Sequence, residues 1–310
     1  MVAEASRSLS CSAVAALLAF VVPLACVNWI KDCAEQIVDA GIVRSAGAAQ
    51  DDPAHEGDAA LEGAGGASAS AMLASFGVCW YICTLATAIS ATAQQATLVL
   101  GQHHSGRRNV LLLYGAFALL AALVFSCIGL VPSASTFVFV TLHDLTDDRA
   151  HKAANAMIVL MAGFPLLETM KKYFSGILSR QKRTVWVTVG AIANVGGIFV
   201  STALLILYRP TQRFVEADSI AWYPVAGLYT GIFCDTFVVF MAARCGAEAA
   251  SRKDGSDAKE ETLCQVTRFS WPLALRELTM GISRPLINLW VARDGDTGTE
   301  ELAVLIVVCE

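Results

Sequence analysis

Charge is scarce in this sequence: only 16% of its 310 residues are Asp, Glu, Lys or Arg, where average soluble proteins carry roughly a quarter. No stretch between its apolar blocks is long enough to fold alone, which excludes a soluble catalytic domain. There is no basic excess either. The net charge is −5, and the basic residues sit in loops beside apolar blocks, so no nucleic-acid partner is expected. A nucleophile paired with a base, a phosphate-cradling glycine loop and an intramembrane aspartate pair at protease spacing are all missing, so neither an enzyme nor a cofactor is expected. The ten cysteines form no disulfide framework. Cys11, Cys26, Cys79, Cys83, Cys127, Cys234 and Cys309 lie inside apolar blocks, where cysteine acts as a small hydrophobe. Cys79 and Cys83 share a helix face, but no His or carboxylate joins them to complete a metal site.

What the sequence has is apolar length. Hydrophobic residues make up 55%, and mean hydropathy is +0.56. They gather in blocks near the ~20 residues that a helix needs to cross a bilayer. The expected fold is therefore all-α, a polytopic helical membrane protein with the lipid bilayer as its first partner. Spans are predicted at 11–30, 71–100, 110–131, 153–170, 184–208, 220–243 and 271–294, with an eighth starting at 302–309. Residues 45–70 are rich in Ala, Gly, Asp and Glu without apolar periodicity and read as a flexible loop insert. The run TFVFVTLHDL is too short to span and is expected at the interface. Gln94 and Gln95 suit helix pairing or a cavity wall, and Asn194, Gly196 and Gly197 allow close helix approach.

The most informative block is WPLALRELTMGISRPLINLWVARD, residues 271–294. Pro272 opens it, and Pro285 frees the carbonyl of Gly281, so a bend is expected there. At about 100° per residue Glu277, Gly281, Arg284 and Asn288 share one stripe. A charged, glycine-containing stripe at membrane depth suits a cavity wall. The competing reading is that Glu277 and Arg284 only pair helices. Asp235, near the middle of its span, must face protein or water.

Lys and Arg counts set the orientation. Loops after the second, fourth and sixth spans hold twelve, with Lys171 and Lys172 among them, against seven for the others. The N-terminus is thus expected in the cytoplasm. Pro23-Leu24-Ala25 recurs as Pro272-Leu273-Ala274, and the same offset sets Glu35 opposite Arg284. Parallel repeats of this kind build transporters with substrate between two halves. Residues 1–269 then form the first six-span half, and 270–310 the start of the second.

The segment WPLAL…ISRPLINLWVARD closely resembles its counterpart in the progressive ankylosis protein family. VPLACVNWIKDCAEQIVDAGI and AMLASFGVCWYI resemble the family's first two spans, and AGFPLLETM and PVAGLYTGIFCDT match more loosely. The resemblance implies a plasma-membrane exporter of anionic metabolites, inorganic pyrophosphate above all, with ATP, citrate and phosphate as further substrates. It also implies distant kinship to multidrug-and-toxin-extrusion and lipid-flippase proteins. The matching polar positions include Asn28, Glu35, Gln36, Ser283, Arg284, Asn288, Arg293 and Asp294, whereas Arg276 and Glu277 stand where uncharged residues are expected. The family continues for several spans beyond the equivalent of Glu310, so the resemblance implies that a second half or another copy completes the cavity. In this reading Arg284 clamps the anion, Arg276 assists and Asn288 orients it. Glu35 pairs with Arg284 in the empty state, and Asp235 or Glu277 serves coupling or helix pairing. A non-transporting regulator of pyrophosphate or ATP release, and a lipid flippase, are the alternatives.

Overall fold

The structure, a computed structural model, describes residues 62–101, 104–143, 145, 148–208, 222–250 and 262–293. These residues are helical, and five helical segments among them are long and apolar enough to cross a membrane. Helix α1 (Glu62–Leu100) is the central column and packs on α2 (His104–Leu130), α4 (Asp148–Leu160), α5 (Phe164–Arg180) and α8 (Leu263–Arg293). The short α3 (Pro132–Ser135) leads into a wider-wound turn, Thr136–Leu142. Helices α6 (Thr184–Tyr208) and α7 (Trp222–Ala250) form the most extensive pair, and α5 joins that pair to α1.

The core lies where α1, α4, α5 and α7 meet, around Phe76, Met157, Ile158, Met161 and Ile232. Rings of Phe76, Trp80, Phe164 and Tyr229 run through it with successive centroid distances of 6.3, 5.6 and 6.1 Å. The outer faces are apolar and exposed, with Leu119 and Leu123 on α2, Ile192 and Phe199 on α6, and Phe233 and Phe237 on α7. Inside-out patterning of this sort suits lipid as the surrounding solvent.

Helix α6 falls on the predicted 184–208. Elsewhere the ends shift for local reasons. Of the flexible insert expected at 45–70, residues 62–70, EGAGGASAS, are helical and form the first turns of α1, and 45–61 lie outside the described residues. Pro272 does not open α8, which begins at Leu263. The side chain of Gln265 accepts from the backbone N–H of Thr262 at 3.0 Å, half of a capping box that starts the helix upstream. α8 is helical through Pro285. The spans expected at 11–30 and from 302 lie outside the described residues.

The fourth span continues well past Met170. α4, a tight turn at Met161–Gly163 and α5 together run Ala150–Arg180. Pro165 lacks the N–H that would pair with the carbonyl of Met161, which explains the break. Tyr229 fills the space beside Gly163 and donates to the Leu160 carbonyl at 2.7 Å. The chain leaves α5 through a Schellman motif. The Arg183 N–H donates to Leu178 O at 2.9 Å and the Lys182 N–H to Ser179 O at 3.1 Å, with Lys182 at φ 57°. Lys171 and Lys172, expected in a loop, therefore lie inside a helix, which weakens the bias in the Lys and Arg count.

Candidate functional site

Helix α5 reads FPLLETMKKYFSGILSR, with Glu168, Lys171 and Lys172 at i, i+3 and i+4. That spacing stacks the three side chains on one face. Lys171 Nζ lies 2.5 Å from Glu168 Oε2, and Lys172 Nζ lies 3.8 Å from Glu168 Oε1. From α7, Asp235 Oδ2 approaches Lys171 Nζ to 3.7 Å. Only 8% of Glu168, 6% of Lys171 and 6% of Asp235 is exposed, so the ionic groups have exchanged water for each other. Asp235 sits midway along the apolar window Pro224–Cys245. At about 1.5 Å per residue it is about 15 Å from either end.

Close helix approach makes the cluster possible. Gly190 of α6 faces Asp235 Oδ1, and a Cβ there would overlap that oxygen. Farther along, a Cβ on Gly197 would stand 3.1 Å from the Cα of Gly231, and one on Gly231 would overlap Oδ1 of Asn194. Asn194 and Gly197 thus line the close contact as expected, whereas Gly196 is exposed with nothing within 4 Å of its would-be Cβ. On the α1 side, Ser90 and Thr169 share a hydrogen bond of 2.8 Å, and Gly176 fits against Gln94 O and Thr97.

The residues expected in the site separate. Asp235 is buried in the cluster. Arg276 is exposed and Glu277 half-buried on α8, which packs on α1 and α2, whereas Asp235 packs with α5 and α6. Arg284 and Asn288 lie on the helical backbone of α8, their side chains outside the described ones. Asn28, Glu35 and Gln36 fall outside the described residues. Sequence reasoning missed Glu168 and Lys171 as site members. The signal for them was an apolar helical pattern that runs on past the Lys pair to Leu178.

Two further polar clusters have structural roles. Ser135 Oγ donates to Asn155 Oδ1 at 2.5 Å and lies 2.6 Å from His151 Nε2. At the other end, the carbonyl of Gly101 accepts from Arg107 Nε at 2.9 Å and also from Arg180 Nη1. Two guanidinium groups thus complement the C-terminus of α1.

Among the described residues no group of three or more His, Cys, Asp or Glu side chains is placed to hold a metal ion. Long apolar helices around a charge-compensated cluster at mid-span define a multi-pass helical membrane protein. The chain belongs to the progressive ankylosis protein family, whose model, described as progressive ankylosis protein (ANKH), matches residues 5–309. No solved structure matches the chain.

Proposed function

We propose that this protein exports anionic metabolites, inorganic pyrophosphate foremost, with ATP, citrate and phosphate as further candidates, by alternating access between two helical halves. Family membership motivates the reading. The observation that supports it most is the buried cluster Glu168–Lys171–Asp235. Buried ion pairs often stabilise no better than well-packed apolar residues of similar volume, and charges at membrane depth generally mark transport or coupling paths. In this proposal Arg284 clamps the substrate, because a guanidinium stays charged and binds phosphate or carboxylate oxygens in pairs. Asn288 orients the anion, and Asn28, Glu35 and Gln36 complete the opposite wall. Arg276, exposed in this bundle, joins when a second half or another copy covers its face of α8. In this proposal the protein works in the plasma membrane with its N-terminus in the cytoplasm.

The test measures pyrophosphate, ATP and citrate in the medium of cells expressing the chain, beside Arg284→Ala at matched surface levels. Accumulation of one anion outside, abolished by the substitution, supports export and names the substrate. A chain that reaches the surface and releases none of the three overturns the reading in favour of a non-transporting regulator.

A further inference from the structure

We propose that Asp235 is a proton-coupling group, and that Lys171 converts its protonation into a binding site for the anion. The proposal deepens the exporter reading and rests on it for the anion step alone. Its basis is charge arithmetic in a closed space. With every group ionised, Glu168 and Asp235 cancel Lys171 and Lys172. One proton on Asp235 turns its carboxylate into a neutral carboxylic acid. The ammonium of Lys171 keeps its own proton and its contact with Glu168, and the cluster then carries one positive charge. An anion entering from the open side neutralises that surplus, and the proton leaves with the anion on the other side. No electrons move, and water supplies and receives the proton.

Geometry selects Asp235 over Glu168. Glu168 spans both ammonium groups from the same helix, with the closer contact at 2.5 Å, whereas Asp235 reaches Lys171 across a helix interface at 3.7 Å. Changing its charge therefore alters a bond between α5 and α7, the kind of contact that has to change when helices rock. From α5 Lys171 reaches Asp235 and in turn holds Glu168, which also meets Lys172. From α6 Gly190 faces the aspartate and brings no charge. The charged residues of α4, Asp148, Arg149 and Lys152, all fall in its first turns, and on α7 itself Arg244 lies nine residues on, over the ring of Phe240. A single proton therefore has a large effect on the local potential in this low-dielectric setting.

The full chain is reconstituted in liposomes and tested in two ways. Infrared difference spectra between acid and neutral pH follow the protonated-carboxyl band without any substrate. Pyrophosphate flux is then measured with and without an inward-facing pH step. The proposal expects one component of the carboxyl band, present in wild type and Glu168→Gln, to be missing from Asp235→Asn. It also expects flux that rises up to about tenfold per pH unit while the site is unsaturated and becomes flat in Asp235→Asn. The paired variant Lys171→Gln/Asp235→Asn, which strands no charge opposite Asp235, also titrates flat. A carboxyl band unchanged from wild type in Asp235→Asn, or a flux that keeps its wild-type pH response there, overturns the proposal. If wild type carries no pyrophosphate at any pH, the exporter reading falls, while the infrared titration still decides whether Asp235 takes the proton.

Discussion

Lys171 and Asp235 face each other across the α5–α7 interface at 3.7 Å, each nearly devoid of solvent, with Glu168 holding the same ammonium from behind. Removing one partner leaves charge without compensation. Lys171→Met is expected to cost about 3–5 kcal/mol, the usual loss when a buried pair is broken. Lys171→Met/Asp235→Asn should recover much of it. Thermal unfolding in detergent of the two singles and the double gives the coupling; strictly additive losses would show that the pair does not interact.

Two glycines on one helix should respond oppositely. Gly190→Ala places a methyl in the space of Asp235 Oδ1 and 3.0 Å from Val239 Cγ1. Overpacking there should cost about 1–3 kcal/mol. Gly196→Ala meets nothing within 4 Å and should stabilise the helix by up to about 1 kcal/mol. The check is a side-by-side melting comparison, and equal effects would place the close contact elsewhere.

Lys182 adopts the left-handed backbone that ends α5. Glycine takes this conformation without a Cβ penalty, so Lys182→Gly should raise stability by about 0.5–1 kcal/mol, whereas Lys182→Val should lower it. Denaturation midpoints of the two variants give the sign directly.

His143 follows the short apolar turn and is half-buried, and burial pushes its pKa below the ordinary histidine value. The unfolded chain therefore takes up a proton that the folded one refuses. Stability contributed by the neutral ring is present above about pH 6.5 and is lost as pH falls toward the lowered folded value. Below that range His143→Gln should melt closer to its neutral-pH temperature than wild type does. The melting difference between the two proteins across an acid titration is the measurement, and a constant difference would contradict it.

Helix existence was legible wherever apolar length alone decides it. α6 was placed to the residue, and α2 missed only the polar first turns, where Arg107 reaches back to Gly101. The charge cluster was not legible. A Lys pair after an apolar run ordinarily marks a span end, and the same-helix carboxylate of Glu168 looked like part of that end. What holds Lys171 inside is Glu168 together with Asp235, a residue of another helix admitted by the missing side chain of Gly190. Such compensation is a tertiary fact that local hydropathy does not encode. The start of α8 was misplaced for the opposite reason: its cap, Thr262 with Gln265, was plain in the sequence, but Pro272 drew the boundary.

The glycine seam between α6 and α7 has a mechanical consequence. Two helices that touch backbone to backbone at Gly197 and Gly231, and side chain to backbone at Gly190 and Asn194, leave no slack for one to slide past the other. They respond to load as one stiff lever. Its attachment to the rest of the bundle is softer, made of side chains and an ion pair that water or a proton can loosen. Bending stress on this protein in a membrane therefore concentrates at the α5 face, and that face, not the α6–α7 seam, is where the bundle yields.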